Sequence, residues 1–146
     1  MFTLTKDGNL CKDGKETKPK MTLQEFVEMF NVPKSKLEKV DGAVFYDVED
    51  SIYDIPCEVD FSFFNDVMVD IELIISTDPF LDKCDDVSRI QDIQREECLK
   101  LIEKNIKYKE KENDGKMTVF YSAKDSEIVF LQEVMKAEVF IKVNYI

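Results

Sequence analysis

The chain has 146 residues with 31 acids, 20 bases and a formal net charge of −11, and it contains four cysteines, four glycines and no histidine. The missing histidine removes the commonest general base, the Ser–His and Cys–His nucleophile pairs and most zinc sites, while four unclustered glycines leave no phosphate-cradling loop or dinucleotide fingerprint. An apolar fraction of 44% fits one globular domain over 1–146 that folds without staples, and the charge disfavours direct contact with nucleic acid or an anionic membrane.

In chain order, "FTLTKDGNLCKDGKETKP" predicts short strands joined at Asp7-Gly8 and Asp13-Gly14. This opening is polar and Lys-rich, without the apolar core of a signal peptide, and no run of 18 apolar residues follows, so a cytoplasmic location is expected. "MTLQEFVEMFN" predicts a helix. Thr22 caps it, Glu25 completes a capping box, and Leu23, Phe26, Val27 and Phe30 form its apolar face before Asn31 and Pro33 end it. "PKSKLEKV" reads as a further helical turn and a connector.

"GAVFYDVED" predicts a strand and "SIYDIP" a turn or irregular link. "CEVDFSFF" and "VMVDIELIIS" predict two strands around Asn65-Asp66. Their alternate residues form one oily series and one series carrying Glu58, Asp60, Asp70 and Glu72. A three-residue loop at Asn65 to Val67 keeps the oily series on one face, pairing Phe64 with Met68, Ser62 with Asp70 and Asp60 with Glu72. "STDPFLDKCDD" is a loop. "DVSRIQDIQREECLKLIEKNIKYK" is the longest helix, with Asp85 or Asp86 as cap. Val87, Ile90, Ile93, Cys98, Leu101 and Ile102 lie near one side, and lysines gather where the helix dipole favours them. "KENDG" is a turn. "KMTVFYS" and "SEIVFLQE" are strands around Lys124-Asp125. "MKAEVFIKVNYI" is the last strand, with Ala137, Val139, Ile141, Val143 and Tyr145 on one face, and its run to Ile146 is expected at a sheet edge.

This order predicts an α+β fold: a mostly antiparallel sheet of five to six strands, two helices packed on one face, and a wet opposite face, as a single two-layer domain. Cys11, Cys57, Cys84 and Cys98 form no Cys-x-x-Cys pair and read as reduced, partly buried thiols, not a zinc site.

Charge distribution carries the functional reading. Residues 41–82 hold 12 acids and neither Lys nor Arg; 31 acids less these 12 leaves 19 against 20 bases elsewhere. Lysines cluster instead at Lys12, Lys15, Lys18 and Lys20, and at Lys100, Lys104, Lys107, Lys109 and Lys111. The candidate partner-binding residues are therefore Glu58, Asp60, Asp70 and Glu72, with Asp47 and Glu49 from the preceding strand. Phe64 and Met68 are expected on the same face as apolar anchors, along with Ile74 and Phe140.

Paired carboxylates can also serve acid–base catalysis, but the chain has no Trp platform for a sugar and no Asp-Thr/Ser-Gly sequence. Neither "DVEDSIYD" nor "DPFLDKCDD" has the central glycine of an EF-hand loop. No catalytic residue, metal ligand or cofactor is assigned. Alternating charge also keeps oily strands soluble, although mixed signs would do so equally well. The expectation is a non-enzymatic binding protein of immunity or inhibitor type, engaging a basic partner such as a toxin, a nuclease or another nucleic-acid-binding protein. No motif identifies a family; in size, acidity and layout the chain looks like the immunity proteins of bacterial toxin systems. The alternatives are a phage-type DNA mimic, an enzyme using carboxylates with a divalent cation, and a structural accessory subunit or homodimer joined through a sheet edge.

Overall fold

Four pairs of left-handed residues set the layout of the first half of the chain: Asp13-Gly14 (φ 52° and 76°), Asp41-Gly42 (46° and 83°), Tyr53-Asp54 (46° and 67°) and Asn65-Asp66 (50° and 62°). Positive φ at both central positions marks the two-residue turn whose twist matches that of paired strands, so each pair reverses the chain into a hairpin. The computed structural model describes residues 1–83, 86–113, 117–122, 126–133 and 138–145. Cys84, Asp85, Asp114 and Gly115 of the "KENDG" turn, the Lys124-Asp125 turn, Ala137 and Ile146, named above, lie outside them, and Val87 is described in its backbone alone.

Strands β1 (Thr3–Leu4), β2 (Leu10–Lys12) and β3 (Lys15–Glu16) form a small sheet. Helix α1 (Leu23–Phe30) follows, then a 3-10 turn at Lys34–Lys36. Next come β4 (Glu38–Val40), β5 (Ala43–Ile52), β6 (Ile55–Phe64) and β7 (Val67–Ile75), a 3-10 segment at Asp78–Lys83, and helix α2 (Val87–Asn105). Strands β8 (Tyr108–Asn113), β9 (Met117–Ser122), β10 (Ser126–Glu133) and β11 (Glu138–Tyr145) complete the chain. The main sheet has the order β4-β5-β6-β7-β11-β10-β9-β8, antiparallel throughout.

The α+β class and antiparallel sheet agree with the sequence reading. The sheet has eight strands instead of five to six, because two segments read as a connector and as a helix tail with its turn form edge strands β4 and β8. Both are exposed along their whole length, so neither has the apolar alternation that announces a strand. The position of β11 is a further correction: it lies between β7 and β10, in the middle of the sheet and not at its edge.

Helix α1 carries its expected capping box. Glu25 N–H donates to Thr22 Oγ1 at 3.1 Å, Thr22 N–H donates to Glu25 Oε1 at 3.4 Å, and Asn31 closes the helix in the left-handed conformation. Its inward residue, Phe26, is 1% exposed. The Phe26 ring centroid lies 4.7 Å from Phe61, 5.2 Å from Phe63 and 5.1 Å from Phe30, in tilted geometry. Burial of such a ring contributes roughly 1.5–3 kcal/mol, with about 0.5–1.5 kcal/mol more from each good aromatic pair. From α2, Ile90, Cys98 and Ile102 join the same core as Phe26, Cys57, Val59, Phe61, Ile71 and Leu73. Gln94, also buried on α2, donates through Nε2 to the Ile75 and Ser76 carbonyls at 3.3 Å each.

The small sheet attaches on the core side. Phe2 is buried, 6.1 Å from the Phe61 ring. Leu4 N–H donates to Tyr53 Oη at 2.9 Å, and that hydroxyl donates back to Leu4 O at 3.2 Å. Tyr145 Oη lies 2.8 Å from Thr17 Oγ1 and donates to Asn9 Oδ1 at 3.0 Å. Docked there, the small sheet packs away from the opposite face of β5, β6 and β7, where Asp47, Glu49 and Glu58 are exposed.

Candidate functional site: the acidic face of three strands

The hairpin β6–β7 solves a parity problem. A two-residue turn alone would place the oily series of one strand opposite the acidic series of the other. Phe64 pairs with Val67 and Phe63 with Met68 across the Asn65-Asp66 turn, but Ser62 pairs with Asp70. Val69 is thus an extra residue in β7, a β-bulge that restores the phase. Beyond it Asp60 lies opposite Glu72, and Phe61 opposite Ile71, as expected.

The tip differs from expectation. The predicted pairing of Phe64 with Met68 assumed a three-residue loop; the shorter turn plus the bulge uses the same number of residues and rotates Met68 into the core. Met68 is 1% exposed and therefore no surface anchor. Phe64 does stand in solvent, 53% exposed, and Val40 and Val69 are exposed as well. Ile74 is half-buried on the acidic face. Phe140 lies opposite it across the β7–β11 pairing but is buried, so it offers no anchor either.

Hairpin β5–β6 completes the face. Asp47 pairs with Asp60 and Glu49 with Glu58. One row across three strands therefore reads Asp47, Asp60, Glu72, and the adjoining row carries Glu49 and Glu58. Asp70 lies one step along β7. Three directly opposed pairs are like-charged, each unfavourable by roughly 0.2–1 kcal/mol. Asp47, Glu49 and Glu58 are exposed; Asp60, Asp70 and Glu72 are half-buried. All six acids expected on this face lie on it.

The other acids of 41–82 serve different ends. Asp41, Asp54 and Asp66 occupy left-handed turn positions that Asp tolerates better than most residues. Asp50 points to the core side, where Lys12 Nζ lies 2.5 Å and the N-terminal amine 3.0 Å from its carboxylate. Part of the surplus charge is therefore turn chemistry, and part is neutralised from outside the segment. A base also reaches the acidic face: Lys142 of β11 lies opposite Glu72, with Nζ 3.9 Å from Asp70 Oδ2. Sequence separation hid it, since β11 lies far beyond the acidic segment.

At the centre, burial raises the Asp60 carboxyl, and Asp47, Glu58 and Glu72 add like charge, pushing it up to about 7. Its Oδ1 is buried without a hydrogen-bond partner in the described structure, and the carboxyl shares a hydrogen bond with Asp47. The protonated form of Asp60, favoured by these neighbours, is the one that can donate to Asp47. One oxygen each of Asp47, Glu58 and Asp60 lie within 4.8 Å of one another, a grouping that could offer three ligands to a hard cation.

Comparison with protein-family models, with curated proteins and with solved structures finds no match to this chain. Among the described residues, no helix is long and apolar enough to cross a membrane.

Proposed function

We propose that the chain is a non-enzymatic binding protein, of immunity or inhibitor type, that receives a basic partner protein on the outer face of β5, β6 and β7. The observation that carries this reading is the gathering of Asp47, Glu49, Glu58, Asp60, Asp70 and Glu72 on neighbouring positions of one face, with like charges directly opposed. Solubility asks only for polar residues at alternate positions, and mixed signs would meet that need without the repulsion. A lysine or arginine side chain placed over the cluster relieves it. Complementary fields also speed encounter by roughly 10–10³-fold and select against wrong partners. Exposed Phe64, two residues along β6 from Ser62 and its partner Asp70, supplies the apolar contact that charge alone does not.

The compactness of the cluster favours a protein partner over imitation of a nucleic-acid duplex, which calls for two long rows of separated charges. The test uses immobilised wild-type protein and a Glu49→Lys/Glu58→Lys variant, both sites being exposed, with the fold of each verified by circular dichroism. Extracts of the producing cell are applied at low and then moderate salt. The wild type should retain a basic protein that the variant loses and that salt releases. Retention undiminished by the charge reversal would sink the proposal. Uptake of calcium or magnesium by calorimetry, with no protein retained, would transfer the face to a cation.

A further inference from the structure

The edge of β5 is open where it borders the acidic face. Strand β4 covers this edge only from Ala43 to Phe45. At the other end Phe2 bridges Ile52 in parallel: Phe2 N–H donates to Ser51 O at 2.7 Å, and Tyr53 N–H donates to Phe2 O at 3.1 Å. Backbone groups alternate in direction along a strand, so the odd-numbered residues of β5 aim theirs at this edge. Phe45 and Ser51 are paired there. Between them, the N–H and C=O groups of Asp47 and Glu49 have no ladder partner among the described residues.

Below the gap, on the core side, lies a cavity of about 120 Å³ lined by Phe26, Phe30, Tyr46 and Val48 and also by the charged Lys12, Lys15, Asp13 and Asp50. It is close in size to the ~150 Å³ cavities that admit benzene, and so suits one apolar side chain. Above the gap stand the carboxylates of Asp47 and Glu49, with Asp60 and Glu58 beside them on β6.

An extended chain added here would project alternate side chains to the two sides. We infer that the gap takes an extended segment of the basic partner as an added strand, with lysine or arginine side chains over Asp47 and Glu49 and an apolar side chain in the cavity. The charge argues against a second copy of this chain in the same place, since its Asp47 and Glu49 would meet their equals. This inference rests on the acidic face being the binding surface and adds the mode of binding.

The probe is the blocked peptide Lys-Leu-Lys-Leu-Lys, titrated by calorimetry at low salt. Two controls have the same charge: a scrambled Leu-Leu-Lys-Lys-Lys, and the alternating peptide N-methylated at every second residue so that it cannot complete a ladder. The alternating peptide should bind at least about tenfold more tightly than either control, the equivalent of one or two lost hydrogen bonds. On binding, the amides of Asp47 and Glu49 should become protected from hydrogen exchange. A Glu49→Pro variant removes an N–H that bonds nothing in the described free protein, so it should fold, as edge prolines do, yet block the added strand. Glu49→Gln removes the same charge and keeps the N–H; Glu49→Pro should bind about tenfold more weakly than Glu49→Gln. Equal binding of all three peptides, with Glu49→Pro and Glu49→Gln alike, would overturn strand addition and leave the acidic face standing as the docking surface. No binding of any of them at low salt would overturn both.

Discussion

Replacing Asp60 by Asn removes one charge from the centre of the acidic face and keeps the side chain's shape and its hydrogen bond to Asp47. The expected effect follows from the raised carboxyl. Its ordinary value is 3.8, and on this face burial and the neighbouring carboxylates push it up to about 7. Between those values the folded chain holds a proton that the unfolded chain has released. Stability therefore falls as pH rises through this window, and the loss is complete above about 7. About three pH units at 1.36 kcal/mol each would be roughly 4 kcal/mol unscreened. The cluster faces solvent on one side, so roughly 1–2 kcal/mol should remain after screening. Urea unfolding followed by circular dichroism, near pH 5 and near pH 8, reads this directly. Relative to Asp60→Asn, the wild type should lose about 1 kcal/mol between the two conditions, which span about two of the three units, and less in about 0.5 M salt. A difference that does not change with pH, or a variant less stable than wild type near pH 8, would refute the account of the cluster as repulsive.

Thr22→Ala removes the capping box of α1 and should cost about 1 kcal/mol in the same unfolding assay. Tyr53→Phe strips the hydroxyl that bonds both backbone groups of Leu4; it should cost roughly 1–3 kcal/mol and speed proteolysis of the first 20 residues. Burial pushes the thiols of Cys57 and Cys98 up to about 12, so neither should react with iodoacetamide near pH 8 until urea opens the core. Mass spectrometry of the alkylated peptides decides that point, and ready labelling of Cys98 in the native protein would contradict its burial.

Local chemistry made some elements legible and left others hidden. For α1, the Thr22–Glu25 pair and the spacing of Leu23, Phe26, Val27 and Phe30 all point to one helix. The acidic face was legible because alternation over Glu58–Asp60 and Asp70–Glu72 leaves one consistent register. Met68 was misplaced because parity admits two solutions, a three-residue loop or a two-residue turn with a bulge, and only backbone angles at Asn65 and Asp66 choose between them. The Tyr53-Asp54 turn lacks the glycine that usually marks such a hairpin; its tyrosine is bonded to Leu4, 49 residues away, and local sequence does not carry that contact. Strand β8, with Lys109, Glu110, Lys111 and Glu112 in succession, has no apolar face at all and owes its form to pairing with β9. The central place of β11 follows from Val139, Ile141 and Val143 meeting Ile75, Leu73 and Ile71, an arrangement between segments far apart in the chain.

That central place bears on how the chain is made. Strands β4 to β7 are a run of consecutive hairpins, as are β8 to β11, and the two runs meet only where β11 lies along β7. On the ribosome, the strand that covers β7 emerges about 60 residues after β7 itself. At roughly 5–20 residues per second, the edge holding Ile71, Leu73 and Ile75 stands open for about 3–12 s. During that interval the nearest strangers are the same edges on neighbouring nascent chains. Asp70 and Glu72 then set like charge against like along the one stretch most able to pair wrongly. A chain stopped short of Glu138 should therefore aggregate faster when both are replaced by Asn and Gln.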